Sequence, residues 1–370
     1  MLQVSPNQVI FDAFGIRLNH ASGTPRDSTM SQLQARRMNF LFNPCAKKWI
    51  THCPSARKAS VNVARQALRW LLRTASALAV LAALSRVARA DDPVSTSAAT
   101  SQPVDKWHNT LFDAVPLGQL RDMDTDRPNK TNTPHTIDAG HLQIETGIFD
   151  YDYYRDKYQG ANARIEALNL GQFNFRLGVL NNLELNAVVN ALDLNRNTDY
   201  TANQSRRQNG FGDLIVGGKL NLWGNDEADG TWASGLAIQP QFKIPTARED
   251  LGNGHPELFV GIPFLMNLPA QFHLGLQTTV SWERSSDNTA DVTGWQNSAS
   301  IDRVFLDKFD IYLEYASDLS TERHQETQQT LDVGVTYPVY DNIVLDTGVN
   351  FGLNRASDTV EWLAGISVRF

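Results

Sequence analysis

The chain has 2 cysteines in 370 residues, Cys45 and Cys53, and both precede residue 57. Beyond that point no disulfide, thiol nucleophile or cysteine-ligated metal is available. Long hydrophobic runs are missing too: the longest, Ala75 to Leu84, falls well short of the ~18 apolar residues that suggest a spanning helix. No helix-period segment of useful length appears after residue 138, which excludes α/β folds. Basic residues are scarce where they would matter for nucleic acid. Of 33 Lys+Arg and 40 Asp+Glu, residues 1–90 hold 13 and 2, which leaves 20 and 38 beyond, a net charge of −18. The acidic remainder makes nucleic acid an unsuitable partner.

Catalytic and cofactor signatures are equally sparse. There is no Gly-x-Ser-x-Gly, no His-Glu-x-x-His and no inward His-x-Ser pair of the kind a barrel phospholipase carries on one strand. His141 and His273 read as hydrogen-bonded wall residues rather than general bases. In Gly210-Phe211-Gly212 the third glycine of a dinucleotide loop is replaced by Ile215, and a strand follows instead of a helix. Asp122, Asp124 and Asp126 imitate the start of a calcium loop, yet Arg127-Pro128 stands where the turn glycine belongs and no distal Glu is in register. The sequence therefore implies no enzyme, no cofactor and no metal.

What is present begins with a leader. Arg57, Lys58, Arg65, Arg69 and Arg73 precede the apolar run, and Ala88-Arg89-Ala90 follows it before Asp91-Asp92, the order of a secretory signal over residues 57–90. Residues 1–56 then read as an extension produced by a start codon assigned too early. Residues 91–135, rich in Asp, Pro, Ser, Thr and Asn, read as a periplasmic arm or partial plug.

From residue 136 onward strand-like segments of about ten or more residues recur, divided by Gly, Asn, Asp and Pro. About twelve (10–14) are expected, near 138–153, 163–179, 183–194, 213–223, 231–245, 257–267, 271–284, 294–305, 309–318, 328–339, 343–354 and 359–370. Short connections such as Asn181-Asn182 largely alternate with long polar ones such as 195–212. That pattern and an even strand number suit an outer-membrane barrel with both termini in the periplasm.

The faces alternate as a barrel requires. Phe272, Leu274, Leu276, Val280 and Trp282 oppose His273, Gly275, Gln277, Ser281 and Glu283. A soluble sandwich gives the same alternation with the faces exchanged, so periodicity leaves both open. Aromatic residues flank the connections as two girdles would: Trp223, Trp232, Phe305, Phe309, Tyr337 and Tyr340 by the turns, Tyr151, Tyr153, Tyr154, Trp282 and Trp295 by the loops. The last stretch, Val360 to Phe370, alternates in the same way, with only Leu363 out of pattern.

That ending, with Trp362, Val368 and a terminal Phe370, resembles the assembly signal of bacterial outer-membrane barrels. The run Pro116 to Gln119, Arg121 to Pro128, Lys130-Thr131 and Thr136 to Glu145 resembles the opening of a bacterial outer-membrane family. That family is labelled a transporter, or the outer-membrane protein of a phenol meta-cleavage degradation pathway. Gly210-Phe211-Gly212-Asp213 and Gln241 to Thr246 are similar to later segments of it. The resemblance implies a barrel that passes small solutes, aromatic compounds among them, and brings no catalytic residues.

The expectation is thus an all-β protein, a single antiparallel transmembrane β-barrel of about 12 strands over residues 136–370, acting as an outer-membrane channel or transporter. A structural or assembly barrel with a closed lumen is the alternative, and a lipid-acting enzyme ranks third. Expected partners are outer-membrane lipid and lipopolysaccharide, the barrel-assembly machinery through the last strand, and an unidentified small solute. Arg176, Lys219 and Lys243, with Glu145, His141 and Glu184, are the candidate lumen or constriction residues. Arg121, Asp124, Asp126 and Arg127 are the candidate plug contacts.

Overall fold

The structure, a computed structural model, describes residues 105–156, 162–226, 231–248, 251–306, 308–323 and 325–370. The two cysteines, the extension at 1–56, the signal at 57–90 and the arm up to residue 104 lie outside the described residues.

Thirteen strands follow in chain order: β1 (Leu142–Asp156), β2 (Ala163–Leu180), β3 (Leu183–Asp199), β4 (Gln204–Gly210), β5 (Leu214–Trp223), β6 (Ser234–Ile244), β7 (Glu257–Leu268), β8 (Phe272–Arg284), β9 (Asp291–Phe305), β10 (Phe309–Ser320), β11 (Gln328–Tyr340), β12 (Ile343–Gly352) and β13 (Val360–Arg369). Every pairing is antiparallel, and the sheet closes on itself: Gln143 of β1 lies opposite Arg176 of β2 on one side and Arg369 of β13 on the other. Closure leaves no unpaired edge around the ring, as the hydrocarbon interior of a membrane demands; among the described strands only β4, which pairs with β3 alone, has a free side.

Thirteen segments make twelve staves. β4 pairs with the far half of β3 and β5 with its near half, so the two are one stave interrupted at 211–213. The amide of Gly212 bonds to the Asn190 carbonyl across the break at 3.1 Å. A Cβ on Gly212 would meet Asn190 Cβ and Asp193 Oδ2 at 2.8 Å each, which explains the glycine. Two boundaries differ from the sequence reading. Residues 195–212, expected as a loop, are mostly the β3–β4 hairpin, because polar side chains cost nothing on a hairpin that projects into water. β1 starts at Leu142 rather than 138, since Gly140 at φ 84° ends the arm in a turn.

Five connections, four of them of two or three residues, lie at one end of the barrel with Phe370 and the first described residues, and six, including 245–256, 285–290 and 353–359, lie at the other. These are the turn end and the loop end. The wall is inside out relative to a soluble protein. Leu276, Trp282, Leu313, Leu331, Val333 and Phe351 are exposed, while Gln143, Glu145, Arg176, Glu184, Lys219, Glu314 and Asp332 are fully buried. A water-soluble sandwich would enclose the first set and expose the second. Only a surrounding of hydrocarbon makes this distribution favourable, so the sandwich is excluded and the barrel spans a membrane. One girdle residue is corrected: Tyr154 points inward and is buried, because the bulge between Gly147 and Phe149 shifts the β1 register.

Candidate functional site: the barrel interior and its arm

The enclosed face is polar because it has a backbone to satisfy. Residues 121–140 run through the interior near the turn end with no sheet partner, so their N–H groups must find side-chain acceptors. The wall supplies them. The amide of Asp126 donates to Glu145 at 3.1 Å, those of Lys130 and Thr131 to Glu314 at 2.8 and 2.7 Å, that of Asn132 to Gln277 at 2.8 Å and that of Ile137 to Glu184 at 2.9 Å.

Arm side chains make a second set of links. Arg121 reaches Asp226 at 2.8 Å and also bonds to Asn181, while its own carbonyl accepts from Arg369 at 2.7 Å. Arg127 pairs with Asp346 at 3.1 Å and Lys130 with Asp332 at 2.5 Å. Burial works against both cations, but the facing carboxylates outweigh it and raise both pKa values. Arg127 fits because two glycines, Gly147 and Gly365, are paired beneath it; a Cβ on Gly365 would come within 2.6 Å of its Nε.

At the centre lies a buried charge cluster. Arg176 binds Glu145 and Glu184 at 2.8 Å each, and Lys219 binds Asp126 at 2.7 Å with Glu184 at 3.8 Å. Asp126 therefore belongs to the arm and to the wall network at once. Such pairs offset the cost of burying charge only because every partner is also hydrogen-bonded.

Of the expected lumen residues, Arg176, Lys219, Glu145 and Glu184 come together. Lys243 stands apart at the loop end of β6, bound to Glu257 at 2.8 Å and Asn253 at 3.0 Å. Nearby, Thr246 accepts the Leu214 amide and Asp213 accepts the Ala247 amide, each at 2.9 Å, so the two later family-like segments meet there. His141 lies at the turn end with its ring nitrogens against the carbonyls of Phe370, at 3.0 Å, and Val115, at 2.7 Å. It ties the arm to the end of the last strand.

Of the expected arm contacts, Arg121, Asp126 and Arg127 bond to wall or turn residues. Asp124 instead binds His135 of the arm at 2.7 Å, and its carbonyl accepts from Gln143 at 2.8 Å. Burial would raise the Asp124 carboxyl, yet its bonds to His135 and Thr133 and the Arg176 charge hold it at about 2. Trp362 and Val368 face outward on β13, and Phe370 is exposed just past it. The sequence reading missed Lys130, Thr131 and Asn132 as wall contacts; for Lys130 and Thr131 their place in a family-like opening was the available sign.

On the loop side of the arm lies a cavity of about 160 Å³ that opens to solvent. Asp126 to Lys130 form its floor, and side chains of the strands its walls.

The profile of the family described as "Putative MetA-pathway of phenol degradation" matches residues 125–370. No curated protein matches the chain. Among solved structures, an outer membrane channel from Pseudomonas putida F1 is similar at 11% identity and a TM-score of 0.49, over 62% of this chain and 95% of that one. The transport unit of the autotransporter AIDA-I from Escherichia coli is similar at 11% identity and 0.44, over 67% and 93%.

Proposed function

The chain belongs to the family described as the putative MetA-pathway of phenol degradation, and from that premise we propose that it is an outer-membrane channel for small solutes, gated by its own N-terminal arm. The observation that carries this reading is the divided lumen. A polar cavity opens on the loop side, and a single polar segment crosses the turn side. A structural barrel has no need of an enclosed polar cavity, whereas a channel needs an aqueous route with a removable obstruction. In this reading both termini and the arm face the periplasm, the wall contacts lipid and lipopolysaccharide, and the last strand through Phe370 engages the assembly machinery.

The closed-lumen alternative has one observation in its favour: the arm bonds to residues on nearly every stave. The two differ in what removing the arm does. Single-channel recording of the folded chain, and of a form lacking residues 91–130, distinguishes them. A channel gated by the arm shows infrequent openings that become stable large steps after the deletion. A folded barrel that conducts in neither form sinks the channel reading and leaves the structural one.

A further inference from the structure

The outward face of the loop end carries a basic patch that strand register assembles across β1 to β4. One row of neighbours reads Tyr153, Glu166, Arg196 and Arg207, and the next row toward the loops reads Arg155, Arg164, Thr198 and Ser205. Four arginines thus stand against one carboxylate across strands spaced about 4.8 Å apart. That carboxylate is already engaged, by Arg164 and by the Tyr151 hydroxyl at 2.9 Å.

Arg196 and Arg207 lie directly opposite each other, a like-charge pair that is unfavourable by itself. Both are exposed, and among the described residues neither has a carboxylate partner. Arginines of other staves at this end are matched: Arg284 by Asp291 at 2.7 Å and Arg355 by Glu326. The rows beneath the patch are apolar. Tyr151, Leu168 and Leu194 form one, and Phe149, Leu170 and Leu192 the next. They share the outward face with Arg164 and Glu166, since Ile165 and Ala167 between them are buried.

A ligand that meets both parts has an anionic head above hydrocarbon, which describes a lipid rather than a soluble anion or an acidic protein. Guanidinium forks match phosphate oxygens in charge and geometry. Two facing guanidiniums favour a phosphomonoester, with a charge of about −1.5 to −2, over the single charge of a phosphodiester. We propose that the outward face of β1 to β4 binds the phosphorylated headgroup of a lipid A-type glycolipid, held first by Arg196 and Arg207 and flanked by Arg155 and Arg164. The proposal deepens the channel reading and rests on it for orientation, because that reading sets the loop end in the outer leaflet.

Native mass spectrometry of the full chain, folded in a non-ionic detergent, tests the site with four probes: diphosphoryl lipid A, dephosphorylated lipid A, phosphatidylglycerol and inorganic phosphate. Diphosphoryl lipid A is expected to bind about tenfold more tightly than the other lipids and to stay bound in inorganic phosphate at equal concentration. Arg196→Ser combined with Arg207→Ser weakens it about tenfold, whereas Arg355→Ser, which removes an equal charge from a matched pair, leaves it unchanged. Equal binding of phosphatidylglycerol, displacement by phosphate, or a double serine variant that binds like the parent overturns the proposal. Orientation is read separately, by labelling Thr201→Cys on intact cells with an impermeant maleimide against the parent chain. Labelled cells with no lipid A selectivity end this site and leave the channel reading intact. Selective binding with Thr201→Cys unlabelled keeps the site and overturns the orientation.

Discussion

Glu314 of β10 accepts two successive backbone N–H groups of the arm, Lys130 at 2.8 Å and Thr131 at 2.7 Å, across 184 and 183 positions of sequence. The Thr131 hydroxyl donates to the same carboxylate at 2.6 Å. One buried side chain thus holds the centre of the arm. Replacing it by alanine leaves two amides unsatisfied at about 1–3 kcal/mol each. The Glu314→Ala barrel is expected to stay folded and to open more often in single-channel records; an unchanged open probability would show that the arm does not gate.

Arg176 offers a test of the central cluster. Removing it strands Glu145 at full burial and leaves Glu184 only Lys219, at 3.8 Å, and breaking such a buried network costs about 3–5 kcal/mol. Urea unfolding of Arg176→Met in detergent is expected to show a loss of that order. Lys219→Met, which leaves Glu184 still paired to Arg176, is expected to lose less.

The paired glycines test how Arg127 is seated. Gly365→Ala places a Cβ within 2.6 Å of both Arg127 Nε and Asp346 Oδ2. The ion pair must separate and the arm loosen, and β13 must also ease away from β1, because the same Cβ lies 2.7 Å from the Thr146 carbonyl oxygen. Limited proteolysis between residues 121 and 135 is expected to speed up, with the barrel still migrating as folded on unheated gels.

Acid should release part of the arm. Asp124 has its carboxyl held at about 2, below the ordinary 3.8, by His135 and its neighbours. A depressed carboxylate stabilises the folded state above its ordinary value and loses that contribution as pH falls toward the folded one. Hydrogen exchange of arm amides is therefore expected to be flat down to about pH 4 and to rise between about 4 and 2. Asp124→Asn should abolish that step.

The outer wall supplies a fifth kind of test. Leu313 of β10 is 49% exposed and faces away from the lumen. Leu313→Arg is expected to cost about 2–4 kcal/mol in a bilayer if the position lies near its midplane. Refolding yield into vesicles measures it.

The inward set was readable because a period of two leaves little choice once one face is known. Glu145, Arg176, Glu184, Lys219, Glu314, Asp332 and Asp346 all occupy the enclosed face, as the alternation implied. What the alternation could not convey is which inward residues meet. Lys243 shares a face with Arg176 yet lies next to the loop end of β6, whereas Arg176 lies toward the turn end of β2, so the shared face says nothing of depth. Tyr154 was misplaced by a single bulge, and the β4 hairpin by its polarity. The arm's bonds were illegible for a different reason: they join backbone amides to distant carboxylates, and a backbone amide leaves no mark on sequence.

The seam between β1 and β13 has a consequence for the order of assembly. The arm grips Glu145 on one side of that seam and Asp346 and Arg369 on the other, and His141 holds Phe370 directly. An open sheet presents only part of this set in any one place. Docking of the arm therefore follows closure, and a docked arm signals a ring whose first and last staves have already met.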